Sequence, residues 1–127
     1  MPNNGRKSII VEKMEVFMMA NDLVLLDTIN KVSNVCSNVT SFITAYKKTR
    51  IADRARMQSI IDEIELAHTM QRSKAIGLIG NSNLMQIKDY MKVMEGMPQT
   101  GPLYDAAVKN LEVMNNALCK NLEEFTK

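Results

Sequence analysis

The chain of 127 residues has no tryptophan, three tyrosines, three phenylalanines, five glycines and three prolines. Glycine and proline together are 8 of 127, half the ordinary share of roughly 12%. So few turn formers argue against an all-β fold, which needs a turn about every 8–12 residues. With aromatics at 5% and no Trp, stacking platforms for single-stranded nucleic acid are scarce. One His and two Cys remove most zinc-site and triad chemistry from a single chain. No Ser or Cys has a His near it in sequence. No catalytic, cofactor-binding or metal residue is nominated, and the chain reads as a non-enzyme. Charge of one sign is also missing: Lys and Arg number 16 against 14 Asp and Glu, a net +2. That balance is not the field of a dedicated nucleic-acid binder.

A clean long apolar run is absent too. Residues 9–26 hold 13 apolar positions of 18, but Glu12, Lys13, Glu15 and Asp22 interrupt them. Ionised groups there make a membrane span costly, and no small-x-small cleavage pattern follows. Cys36 and Cys119 lie 83 residues apart, each in an apolar stripe, and match no CxxC spacing. They read as reduced core thiols of an intracellular protein, with a disulfide as the alternative. Cytoplasm is the expected compartment. The Asn38-Val39-Thr40 sequon reads as inert without a secretory signal.

Apolar material is plentiful, at 46% of residues, enough for one domain with a real core. No Gly or Pro occurs between Arg6 and Ile76, and the apolar spacing is helical. The expected fold is all-α: a single domain over 1–127 with four or five helices and a long coiled-coil-like region. Residues 1–7 are expected to be flexible, with loops near 77–82 and 96–102. Ser8 is positioned to cap a first helix to about Ala20, with a strand at 9–11 as the alternative. Asn21-Asp22 is a candidate break. From there Leu25, Ile29, Val32, Cys36, Val39, Ile43 and Tyr46 follow at heptad spacings of about 3.5 residues. The residues between them are short and polar, so this helix depends on packing more than on propensity. The seam falters at Arg50 and Asp53 and resumes at Met57, Ile60 and Ile64. Either the chain breaks near 47–49, with Thr49 capping a new helix, or one long helix continues. Two more helices follow, from about Ser82 to Glu95 and from Pro102 to about Phe125.

Four constellations have chemical content. Lys47, Lys48, Arg50, Arg54 and Arg56 form the densest positive run. On an unbroken helix Lys47, Arg50 and Arg54 share a face, and forked guanidinium donors suit a phosphate-bearing ligand such as a nucleotide or nucleic acid. The competing reading is a solvated face. Glu65 and His68 have the Glu-x-x-His spacing of di-iron bundles; with one His per chain, a metal reading is remote. Met91, Met94 and Met97 are candidates for a plastic partner groove, against ordinary core. Last, the first helix is apolar on most of its circumference, so one neighbour cannot cover it. Ile10, Met14, Phe17, Leu25, Ile29, Val32, Cys36, Val39, Ile43 and Tyr46 are the expected interface of a homo-oligomer, most simply a dimer. The leading expectation is a non-enzymatic interaction protein (adaptor, inhibitor or assembly factor) with a protein partner and no membrane. The alternative is an oligomeric binder of an anionic ligand at 47–56.

Overall fold

The structure, a computed structural model, describes residues 9–74 and 79–126, with side chains over 25–72 and 79–126. The expected flexible segment 1–7 and the Ser8 cap lie outside the described residues. Within them are four α-helices and no strand: α1 Ile9–Thr49, α2 Arg54–Lys74, α3 Asn81–Glu95 and α4 Pro102–Phe125. The expected break at Asn21-Asp22 does not occur, so the first two sequence segments are one helix of 41 residues. An Asn-Asp pair inside a helix costs only about 1 kcal/mol of propensity, too little to end it. The strand alternative at 9–11 falls with it.

The chain turns instead at 50–53. Thr49 closes α1: its hydroxyl donates to the Ala45 carbonyl at 2.8 Å and accepts from the Ile51 N–H at 3.2 Å. Arg50 follows with φ at 59°, a left-handed conformation that costs a non-glycine residue roughly 1–2 kcal/mol. Asp53, not Thr49, starts α2, its Oδ1 accepting from the Arg56 N–H at 3.0 Å. That is ordinary N-cap chemistry. At the far end Gly80 precedes α3 with φ at 59°, and a Cβ there would lie 2.7 Å from Leu118 Cδ1. Only glycine fits both conditions. Pro102 opens α4, where its missing N–H costs nothing.

α1 packs on α2 and α4, and α3 packs on the same two; among the described residues the diagonal pairs do not meet. The result is an antiparallel bundle of four helices. Its core takes Val32, Val35, Val39, Phe42 and Tyr46 from α1, Ile60, Ile61 and Ile64 from α2, Leu84, Ile87, Met91 and Met94 from α3, and Tyr104, Val108, Leu111 and Leu118 from α4. Thr28, Val32, Val35, Val39, Phe42 and Tyr46 form the deepest row of α1, all within 1% of full burial. The sequence seam touches this row at Val32, Val39 and Tyr46, but its centre is displaced and the stripe is wider. Two flanking helices require that width. Val32, Val39, Ile43 and Tyr46, expected at an oligomer interface, are therefore spent on the chain's own core; Leu25 and Ile29 are half-buried.

Cys36 and Cys119 are bonded to each other, which corrects the expectation of two reduced thiols. Helix packing brings their Cα atoms to 5.9 Å, although nothing in their spacing announces the pair. In the chain-entropy view a loop this long stabilises by about 4–5 kcal/mol. Beside the bridge, buried Asn115 donates from Nδ2 to the Cys36 carbonyl at 3.2 Å and to Thr40 Oγ1 at 2.9 Å. Gln71, also buried, uses its amide to pair with both the N–H and the carbonyl of Ile79. These contacts fix the depth of the helices relative to one another.

Val39 has no exposed surface, whereas Ile29 is half-buried. Val39→Asp is expected to cost more than about 3 kcal/mol, because an unpaired carboxylate would be buried. Ile29→Asp should cost clearly less. Urea denaturation of the two variants checks the order, and equal losses would refute the register of α1.

Candidate functional site

The basic segment lies at the end of the bundle where α1 stops and α2 and α4 begin. The helix break moves Arg54 and Arg56 onto a different element from Lys47, Lys48 and Arg50. Lys47, Arg50 and Arg54 therefore do not share a helix face, and that expectation is corrected. Two of the five cations are engaged by α4. Lys47 Nζ contacts both carboxylate oxygens of Glu112 at 2.9 Å. Arg50 Nη1 donates to Asp105 Oδ1 at 3.1 Å, and its guanidinium carbon stands 6.0 Å from the Tyr46 ring centroid. Lys48, Arg54 and Arg56 are exposed and form no ion pair with a described residue.

Beneath these charges lies an aromatic pair. Tyr46 and Tyr104 have ring centroids 5.0 Å apart at 50°, a tilted geometry favoured by the ring quadrupoles. Tyr46 donates its hydroxyl to Asp105 Oδ1 at 2.8 Å. Burial, then the hydrogen bond to Asp105, raises its pKa above the usual tyrosine value. Tyr104 is fully buried, and its hydroxyl has no hydrogen-bond partner among the described residues. Burial is the main cause that pushes it up to about 12, with Tyr46 adding to the shift and Arg54 opposing it. Asp105 is thus a hub, taking one tyrosine proton donor and one guanidinium. Neither Asp105 nor Glu112 stands out in the sequence, since both reach the basic segment only across the fold. The single local hint is the place of Asp105 in the first turn of a helix that opens on Pro102.

Glu65 and His68 are drawn apart chemically. Glu65 lies 3.4 Å from Lys88 Nζ and 3.5 Å from Lys92 Nζ. The hydrogen bond and charge of Lys88 hold its carboxyl below the usual range. Asn81 Oδ1 accepts from His68 Nδ1. Among the described residues no group of three or more His, Cys, Asp and Glu stands close enough to hold a metal. Met91 and Met94 have no exposed surface and Met97, partly buried, packs against the core cluster, so these three belong to the core and not to an open groove.

The described surface includes two hollows. One of about 510 Å³ runs between α1 and α2, lined by Asn38, Ser41, Asp53, Arg56, Ser59 and Glu63 among others. Glu63 there accepts from Asn38 Nδ2 at 2.6 Å, and Arg56 with Asp53 and Glu63 lines it with both signs of charge. The other, about 400 Å³, lies at the opposite end against 80–83 and Asn121. Among the described residues no helix is long and apolar enough to cross a membrane. No family model, curated protein or solved structure matches the chain.

Tyr104 supplies a pH test. Its folded pKa, about 12, lies above the ordinary value of about 10. The folded state therefore holds a proton that the unfolded state gives up between those values. The corresponding stability is complete below pH 10 and should be lost as pH rises towards 12. Tyr104→Phe should flatten that loss. At neutral pH it should be neutral or stabilising, since it removes a buried hydroxyl without a partner. Thermal melts of both proteins from pH 7 to 11.5 check this; a clear neutral-pH destabilisation of the variant would overturn it.

Proposed function

We propose that the protein is a non-enzymatic helical interaction module that works as a homo-oligomer and presents its bundle to another macromolecule, as an adaptor, inhibitor or assembly factor. The observation that carries this reading is the overhang of α1. At about 1.5 Å per residue its 41 residues reach roughly 60 Å, against about 30 Å for α2 and 36 Å for α4. The Cys36–Cys119 bridge sets the register with α4, so Phe125 comes level with about Asn30. The Asn38–Glu63 hydrogen bond does the same for α2, whose end at Lys74 comes level with about Asp27. The helix continues to Ile9, beyond both. The sequence of that continuation is the most apolar of the chain. A second copy is the natural cover, through Ile10, Met14, Phe17 and Leu25; the side chains of the first three lie outside the described residues.

Light scattering at micromolar concentration should therefore give a multiple of 14.3 kDa. Phe17→Lys should lower that mass with little change in melting of the bundle. A monomeric wild-type chain would refute the proposal.

A phosphate-bearing ligand at the basic end is the second reading, and exposed Lys48, Arg54 and Arg56 favour it. It ranks second because Glu112 and Asp105 already engage Lys47 and Arg50. Binding to a nucleotide or short nucleic acid that weakens steeply with salt would support it; absence of such binding at low salt would remove it. The compartment follows the cysteines. The bridge favours oxidising surroundings over the cytoplasm, and the expected cytoplasmic residence requires both residues to be isolated as thiols.

A further inference from the structure

Both ends of the bundle carry charge of the sign that the local helix disfavours. The first turn of α2 has no acid and holds Arg54 and Arg56, although a helix N-terminus is its positive pole. The last turn of α4 has no base and holds Glu123 and Glu124 at the negative pole. All four side chains are exposed and none forms an ion pair with a described residue. Asp53 relieves the α2 end only in part, through its cap to the Arg56 N–H. The same two ends expose large apolar side chains. Ile51 and Leu103 are 69% and 59% exposed at the basic end, and Phe125, next to the two glutamates in sequence, is 46% exposed.

The two patches cannot meet within one chain, because α4 separates them by its 24 residues, about 36 Å. We infer that they meet between chains: the Glu123-Glu124-Phe125 end of one copy docks on the basic turn of a second copy, against Ile51, Leu103, Lys48, Arg54 and Arg56. The occupant is another copy of this chain because the complement of each patch, in charge and in apolar content, is the other patch. Each contact neutralises both misplaced charge clusters and covers three exposed apolar side chains. Lys120, one turn before Glu124, weakens the field of the acidic end without cancelling it. This inference rests on the self-association reading and adds to it a head-to-tail geometry, in which two different surfaces meet.

Two charge reversals test it, measured by sedimentation velocity at matched concentrations. One variant carries Arg54→Glu and Arg56→Glu; the other carries Glu123→Lys and Glu124→Lys. Each alone should weaken association at least tenfold. Both changes place at helix ends the charges those ends prefer, so melting temperatures should hold or rise and misfolding cannot explain the loss. An equimolar mixture should regain the wild-type mass, because the acidified turn of one variant now fits the basic α4 end of the other. Wild-type association by either variant alone, or no recovery on mixing, would overturn the head-to-tail contact while leaving self-association standing. A wild-type chain that stays monomeric would overturn both.

Discussion

The packing of α1 between α2 and α4 sets the position of everything else, since among the described residues α3 touches only those two neighbours of α1. Its buried row from Thr28 to Tyr46 must serve two neighbours at once. The flanking short side chains let both approach: Thr40 bonds back to the Cys36 carbonyl, and Asn115 of α4 reaches both. A helix with so many Asn, Ser and Thr residues would be weak alone. In the bundle those same residues supply the polar contacts between helices, and the Cys36–Cys119 bridge fixes α4 at one register. Depth, tilt and the level at which α4 ends all follow from that contact.

The basic run shows how a fold can spend charge that a sequence displays. Read along the chain, five cations in ten residues look like one patch. The left-handed Arg50 splits them between two helices. Glu112 then engages Lys47, and Asp105 engages Arg50. What is left on the surface is smaller and placed elsewhere: Lys48, Arg54 and Arg56 around an exposed Ile51. Such surface pairs add little stability, about 0–1 kcal/mol each. Their effect here is to decide which cations remain open to solvent.

The elements of this fold were largely legible, and the contacts between them were not. The loop at 96–101 was marked by Gly96, Pro98, Gly101 and Pro102, and apolar spacing located α3 and α4 closely. The Asn21-Asp22 pair misled because cap residues are also tolerated inside a long helix. Thr49 misled in the opposite way: it ends α1 by bonding back to Ala45, while Asp53 caps α2. The seam from Leu25 to Tyr46 meets the buried face of α1 at Val32, Val39, Ile43 and Tyr46 and misses its centre elsewhere, and heptad spacing cannot say whether a stripe faces its own chain or another. The cysteine pair, Tyr104 beneath Tyr46, and Asp105 with Glu112 depend on residues at least 55 apart. No local pattern carries that information.

A sequence that folds well usually agrees with itself at every level, and local conflicts that persist tend to mark function. Here the apolar spacing and the Gly/Pro-marked loop agree with the helices that form. The conflicts gather at the two ends of the bundle, in cations on the first turn of α2 and anions on the last turn of α4. Neither contributes to the core, to the disulfide or to the pairing of Tyr46 with Tyr104. The overhang of α1 lies at the same end as Glu123 and Glu124, since α1 and α4 are antiparallel. A second copy docked on those glutamates would also stand against the overhang. One contact would then answer both the apolar sequence of the overhang and the misplaced charge, which is a stronger reason to place self-association there than either feature gives alone.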